Sequence, residues 1–198
     1  MKREYWTLFG ILSFAIPYTL INNFSLGREG YHLLLPIDYL IPFIPFFVSF
    51  YLLTFAYLIV VPYVLIKDEK QFAALSLSFI FTMLIGYLTF LLFPVKTVLR
   101  PENITTGFWT SLVKMSYLAD APGFNNFPSL HVALSLLVSL IVYNHDKKQW
   151  WVWIMFTGIM LSTMFIKQHY FIDVIAGLLL GIIGYLVYLM LRKRSLQS

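Results

Sequence analysis

The chain alternates long apolar stretches with short polar connections, and the apolar stretches predict its main elements. Six stretches of 18 or more residues contain no Asp, Glu, Lys or Arg. A helix needs about 20 apolar residues to cross the hydrocarbon core of a bilayer. The pattern therefore predicts six membrane-spanning helices, at residues of about 5–22, 41–66, 72–93, 128–144, 150–167 and 169–191.

The composition supports a membrane protein over other classes. Of the 198 residues, 60% are hydrophobic and 12% are charged, whereas soluble domains have roughly 45–50% and about 25%. A soluble monomer of this length would expose large apolar patches, which are rare. We therefore expect an all-α integral membrane protein, a six-helix bundle that forms a single polytopic domain over residues 1–198. The first stretch is long enough to span, so we expect a retained helix rather than a signal peptide.

The absence of cysteine restricts the possible chemistry, and the placement of the basic residues predicts the orientation in the membrane. Without cysteine there are no disulfides, thiolate metal sites or cysteine nucleophiles. If the amino terminus is cytoplasmic, nine Lys and Arg residues lie on the inner side and five on the outer side. The positive-inside rule favours this orientation. We expect both termini in the cytoplasm, the cell membrane as the location, and no nucleic-acid partner.

Unusual polar residues gather in the outer connections. Arg100 lies after the third predicted helix, and Ser129 and His131 open the fourth. Pro128 suits the first turn of a helix, where unpaired amides and the helix dipole favour an anion. The sequence thus indicates a small anion site with a titratable group beside it, or alternatively a helix cap with a buried histidine.

A second histidine lies at the junction of the fifth and sixth predicted helices. His169 and Asp173 are four residues apart, so we expect them to share one helix face. A carboxylate can orient the imidazole ring, which leaves the other nitrogen as a base or nucleophile. The alternative is a structural polar pair between helices. His32 and His145 lack such partners and are predicted to be surface residues.

These residue types together suit phosphoryl transfer. Basic residues can bind a phosphate, one histidine can attack phosphorus, and the other can protonate the leaving oxygen, without a metal or cofactor. Two histidines and an aspartate could instead bind zinc. Because basic residues beside them would oppose a cation, we expect no metal.

The residues over about 95–177 resemble the type 2 phosphatidic acid phosphatase (PAP2) superfamily of membrane lipid phosphatases and phosphotransferases. Its motifs are Lys-x6-Arg-Pro, Pro-Ser-Gly-His and Ser-Arg-x5-His-x3-Asp. Arg100-Pro101 matches the first, but Phe93 stands at the place of the lysine, and the basic Lys96 lies three residues further on. The second motif has Leu130 where glycine is usual. In the third, Thr163 replaces the arginine, and Lys167, one helical turn later, is the expected substitute.

The resemblance implies a role for each residue that matches. His169 would be the nucleophile that forms a phosphohistidine, with Asp173 orienting it. His131 would be the general acid and then the base. The phosphoryl oxygens would be held by Arg100, Ser129, Lys167 and Lys96. The implied site lies at the outer membrane interface of a six-helix bundle.

We therefore expect a metal-independent lipid phosphate phosphatase that acts at the extracytoplasmic face on a phospholipid-type or polyprenyl (pyro)phosphate. Its partners would be the lipid bilayer and the membrane lipid phosphate. A phosphotransferase resembling sphingolipid synthases would use the same groups with an alcohol as acceptor. Two further classes stay open at this point, a transporter and a serine hydrolase that uses Ser129. The sequence leaves the oligomeric state open.

Overall fold

The computed structural model describes residues 2–25 and 27–195. Within that part of the chain the regular structure is helical, with isolated bridges but no β-strand. The all-α prediction is therefore confirmed. The eight α-helices are α1 (Arg3–Phe24), α2 (Pro36–Leu40), α3 (Val48–Leu65), α4 (Glu69–Leu92), α5 (Phe108–Ala119), α6 (Leu130–His145), α7 (Val152–Phe165) and α8 (Phe171–Ser195).

All six predicted helices have a counterpart, namely α1, α3, α4, α6, α7 and α8. The short helices α2 and α5 were not predicted. α5 lies in the connection between α4 and α6 and buries Thr110, Val113 and Ser116. These residues are three apart, so they form one stripe along an amphipathic helix. The helix is too short to span a bilayer, so a pattern of long apolar stretches does not predict it.

In the described part of the chain, four helices are long and apolar enough to cross a membrane: Arg3–Phe24, Pro45–Leu65, Glu69–Leu92 and Phe171–Arg194. The second of these is α3 together with the 3-10 turn Pro45–Phe47 that precedes it. α6 and α7 have 16 and 14 residues, which is shorter than the usual length of about 20 for a spanning helix. Six spans and the orientation of the termini therefore stay predictions.

α6 is the central helix of the fold. It packs against α3, α4, α7 and α8, and 11 of its 16 residues are buried. Its buried serines are satisfied within the helix, since the hydroxyls of Ser135 and Ser139 donate to the carbonyls four residues earlier at 2.5 and 2.7 Å. The residues at the start of α6 are thus fixed by packing on several sides.

Two glycines allow α8 to lie close against α6. A Cβ added at Gly177 would lie 2.6 Å from the carbonyl oxygen of Ser129, and one at Gly181 would lie 2.7 Å from that of Ala133. Small residues four apart permit such close contact between membrane helices. This close contact brings the first turn of α8 next to the first turn of α6.

The opposite end of the bundle is closed by contacts near the start of α1 and α4. Arg3 donates to the carbonyls of Tyr63 and Ile66 at 2.9 and 3.1 Å. Asp68 is the N-cap of α4, and its carboxylate accepts the Gln71 N–H at 2.6 Å. Such a cap typically contributes about 1 kcal/mol to stability.

Candidate active site

His169 and Asp173 lie at the start of α8, in the loop and first turn that follow α7. His169 Nδ1 is 3.4 Å from Asp173 Oδ2, and both side chains are buried. The same carboxylate oxygen accepts the Tyr170 N–H at 2.9 Å. α8 begins at Phe171, so His169 lies in the turn before the helix rather than within it. The structure nevertheless brings the pair together, as its spacing predicts.

His131 lies in the first turn of α6, beside this pair. Its ring centroid is 5.8 Å from that of His169, at an interplanar angle of 63°. The ring also packs against Tyr51, at 4.5 Å between centroids, and Phe55, at 5.9 Å. The two predicted catalytic histidines are therefore neighbours, although 38 positions separate them along the chain.

Two buried polar atoms of this cluster have no hydrogen-bond partner among the residues that the structure describes: His131 Nε2 and Asp173 Oδ1. Burying a polar atom without a partner costs about 1–3 kcal/mol, and an unsatisfied group in a folded protein calls for an explanation. A substrate that supplies the missing partner is one such explanation. The cluster of His131, His169 and Asp173 is therefore our candidate active site.

Ser129 ties the starts of α6 and α8 together. It is the N-cap of α6, and its hydroxyl oxygen accepts the Val132 N–H at 3.5 Å. Its own N–H donates to the Asp173 carbonyl at 3.0 Å. A backbone hydrogen bond therefore joins the start of α6, which carries His131, to the start of α8, which carries Asp173.

Arg100 approaches the same loop from the connection between α4 and α5. Its guanidinium forms an ion pair with Asp120 and donates to the side-chain carbonyl of Gln168, the residue before His169. Its central carbon lies 4.6 Å from the centre of the Tyr117 ring. Its Nε is buried and has no hydrogen-bond partner within residues 2–25 and 27–195. The structure thus places Arg100 beside the histidine loop.

Gly123 lies in a turn next to this guanidinium. Its φ is +79°, in the left-handed region, where a residue with a side chain would be strained. A Cβ there would lie 3.4 Å from Arg100 Nη1, which is an ordinary van der Waals contact. The backbone conformation, rather than a lack of space, therefore favours glycine at this position.

Sequence reasoning misses the residues that hold Arg100. Asp120 and Gln168 belong to no motif, and the pattern marks Asp120 only as a chain-breaking residue before the fourth predicted helix. Asp120 also accepts a hydrogen bond from the Tyr18 hydroxyl of α1. Tyr117, on the unpredicted α5, donates to the Ile166 carbonyl at 2.5 Å. No spacing rule connects these positions, since they meet only through the tertiary fold.

Lys167 does not have the position that the sequence predicts. α7 ends at Phe165, and Lys167 has a φ of 57°, so the expected continuous helix from Thr163 to Lys167 is wrong. The Lys167 and Gln168 N–H groups donate to the Met164 and Thr163 carbonyls, both at 3.0 Å. These two bonds form a Schellman motif with lysine in the left-handed position, which glycine usually takes.

The ammonium of Lys167 contacts backbone rather than another charged side chain. Nζ donates to the carbonyls of Asp38 and Ile41 at 3.0 and 2.5 Å. Burial of the side chain lowers the pKa of the Lys167 ammonium below its ordinary value. The phosphate-binding role expected of Lys167 stays a prediction.

Lys96 lies in a different part of the outer connections. Its ammonium is 5.4 Å from the centre of the Phe124 ring, and it lines an open cavity of about 530 Å³ together with Arg28, Glu29 and His32. The walls of this cavity include neither His131 nor His169. The carbonyl of Lys96 accepts a hydrogen bond from the hydroxyl of Tyr170, the residue after His169, at 3.1 Å. The binding of phosphate by the Lys96 ammonium stays a prediction.

Two further predictions concern the exposure of His32 and His145 and the binding of a metal. His32 and His145 are exposed, which confirms that they are surface residues. In the part of the chain that the structure describes, no group of three or more His, Cys, Asp or Glu side chains is arranged to hold a metal ion. A reaction that needs no metal stays a prediction.

The long apolar helices fit a helical membrane protein. Its candidate active site consists of two histidines at neighbouring helix starts, a carboxylate and a nearby guanidinium. A family model described as the PAP2 superfamily matches residues 42–187. The chain belongs to the PAP2 superfamily, as its motifs predict, and this membership supports a phosphatase-type function. No curated protein and no solved structure matches the chain significantly.

Proposed function

We propose that the chain is a lipid phosphate phosphatase that works through a phosphohistidine intermediate. The observation that carries this proposal is the cluster of His131, His169 and Asp173 beside Arg100, with a buried nitrogen and a buried carboxylate oxygen that lack partners. Catalytic groups lie close to one another before the substrate binds. The hydrogen bonds between them are often long in the free enzyme and become shorter in the complex with substrate.

The first half of the reaction forms a bond from nitrogen to phosphorus. Because Asp173 faces Nδ1 of His169, that nitrogen carries the proton and Nε2 holds the lone pair. Nε2 attacks the phosphorus, and the bond from phosphorus to the lipid oxygen breaks. His131, protonated when the substrate binds, gives its proton to the leaving alkoxide.

The second half of the reaction releases phosphate. The now neutral His131 removes a proton from water, and the resulting hydroxide attacks the phosphorus. The bond from phosphorus to His169 breaks and inorganic phosphate leaves. Each atom and proton is thereby accounted for, and His131 returns to its protonated state for the next turnover.

Negative charge spreads over the phosphoryl oxygens in both steps and needs fixed donors. Arg100 is the main candidate, because its guanidinium already lies beside Gln168 in the histidine loop. Ser129 is the second candidate, because it is the N-cap where the amides of α6 begin. Arg100 would exchange part of its pairing with Asp120 for the substrate.

We also propose that all six long helices are embedded in the membrane and that the site faces away from the cytoplasm. The nine-to-five distribution of Lys and Arg supports this orientation. The shorter α6 and α7 pack against neighbouring helices of the bundle. A lipid could then keep its chains in the bilayer while its phosphate reaches the helix starts.

The experiment that tests the function is phosphate release by the purified chain from a panel of phosphatidic acid, phosphatidylglycerol phosphate, sphingoid phosphate and polyprenyl pyrophosphate, with EDTA present. Release in water without an added alcohol supports the phosphatase. Transfer to an added lipid alcohol without release in water supports the phosphotransferase instead. Inhibition by vanadate supports phosphoryl transfer, whereas labelling of Ser129 by a fluorophosphonate supports a serine hydrolase.

A further inference from the structure

The loop that carries His169 is held by a part of the chain outside the three motifs. The loop comprises residues 166–170, between α7 and α8. The segment that holds it comprises α2 and the residues after it, to Ile44. The Ile44 N–H donates to the Phe165 carbonyl at 3.0 Å, at the end of α7. Two further contacts, through Asp38 and Lys167, reach the chain on the two sides of His169.

Asp38 joins α2 to the first turn of α8. Its side chain is fully buried. One carboxylate oxygen accepts the Phe171 N–H at 2.7 Å, and the other accepts the Leu35 N–H at 2.8 Å. The first N–H groups of a helix lack partners within it, and the helix dipole favours a negative charge there. Asp38 therefore caps α8 from a position 133 residues earlier in the chain.

Lys167 contacts the same segment from the other side of His169. Its ammonium donates to the carbonyl of Asp38 and to that of Ile41. The Lys167 backbone lies in the left-handed region, with a φ of 57°. The backbone and the side chain of Asp38 thus contact residues 167 and 171, and His169 lies between these two positions.

We propose that Asp38 is a positioning residue for His169 and that Lys167 is its partner, an inference that rests on the proposed phosphatase function. Neither side chain needs to touch the substrate. The two contacts fix the backbone on both sides of His169 and so hold its ring beside His131 and Asp173. A displacement of about 1 Å at a reacting group can lower a rate about 100-fold.

The test compares Asp38→Ala and Asp38→Asn with Asp68→Ala. Asp68 is the matched control because its carboxylate also caps a helix, α4, but at the opposite end of the bundle. The kcat and KM for one lipid phosphate and the unfolding temperature in detergent are measured for each protein. Asparagine keeps an oxygen acceptor for the Phe171 N–H, whereas alanine removes it.

We expect Asp38→Ala to lower kcat about 10- to 100-fold, with KM changed less than about threefold because no substrate contact is lost. Asp38→Asn should recover part of the rate. Asp68→Ala should lower the unfolding temperature and leave kcat unchanged. A kcat for Asp38→Ala that falls no further than that of Asp68→Ala would overturn the proposal.

The position of His169 can also be measured without turnover. Its side chain is 5% exposed, so diethyl pyrocarbonate should modify it slowly, as followed by peptide mass spectrometry. Modification should become at least about threefold faster in Asp38→Ala, because the loop opens more often, and should not change in Asp68→Ala. An unchanged rate in Asp38→Ala overturns the positioning role. A wild-type chain that releases no phosphate from any lipid, but whose His169 still responds to Asp38→Ala, rejects the phosphatase function alone.

Discussion

The side chain of Leu130 fills the space over Gly86. A Cβ added at Gly86 would lie 2.6 Å from Leu130 Cδ2 and 3.0 Å from its Cγ. Leu130 is the residue that stands where the second PAP2 motif has glycine, next to His131. Gly86, on the facing helix α4, therefore provides the space for the side chain of Leu130 in the motif on α6. Leu130 is buried among apolar residues there.

This contact predicts coupled effects on stability. Leu130→Ala should destabilise the fold by about 2–5 kcal/mol, the usual cost of truncating a buried leucine. Gly86→Ala should cost about 1–3 kcal/mol, because its new methyl group would overlap Leu130. The double variant should cost less than the sum, since the alanine at 86 then has space. Unfolding in detergent measures the three values, and additivity within about 0.5 kcal/mol would contradict the contact.

The two histidines of α6 should differ sharply in function. His131 lies at the start of the helix beside His169, and His145 is exposed at its other end. His131→Ala should lower kcat by about 10²–10⁴-fold, the usual range for a general acid and base. His145→Ala should leave kcat near the wild-type value. Equal effects of the two substitutions on phosphate release would refute both the role and the placement of His131.

Arg100 should contribute mainly in the transition state. Arg100→Ala is expected to lower kcat by about 10²–10³-fold, as when a donor to a developing negative charge is lost. Arg100→Lys should restore only part of the rate, because lysine lacks the planar fork of guanidinium. The control is Lys114→Ala, which removes an exposed positive charge from α5. If the two alanine variants retain the same kcat/KM, Arg100 does not bind the phosphoryl group.

Substitution of Lys167 should affect kcat and KM in the same way as substitution of Asp38, and not as substitution of Arg100. Lys167→Met removes the bonds to the Asp38 and Ile41 carbonyls and should lower kcat with little change in KM. Lys167→Gly removes the same bonds but suits the left-handed φ, so its free energy of unfolding should exceed that of Lys167→Met by about 1 kcal/mol. A rise in KM as large as the fall in kcat would instead support direct phosphate binding by Lys167.

The orientation can be tested with single cysteines, because the chain has none. Thr105 and Glu69 are both exposed, the first in the connection after α4 and the second in the first turn of α4. A cysteine at Thr105 should react with a membrane-impermeant maleimide in intact cells, whereas one at Glu69 should react only after permeabilisation. The reverse pattern would place the histidine cluster on the cytoplasmic side.

The long helices were predictable because a continuous apolar run is a local property of the chain. The neighbourhood of His131 and His169 was also predictable, because both lie at helix starts that an up-and-down bundle brings to one end. Lys167 was misplaced because nothing at residues 166–168 signals a helix end: the left-handed residue there is a lysine, not a glycine. Asp38 and Asp120 were missed because their partners, Phe171 and Arg100, are distant in sequence.

The proposed mechanism depends most on His169 as the nucleophile. The most direct test is phosphate release from a lipid phosphate in the presence of EDTA, by the wild-type chain and by His169→Ala purified in the same detergent. We expect steady phosphate release by the wild type and a loss on the order of 10³-fold or more in His169→Ala, with an unchanged unfolding temperature. Phosphate release by His169→Ala at a rate close to that of the wild type would contradict it.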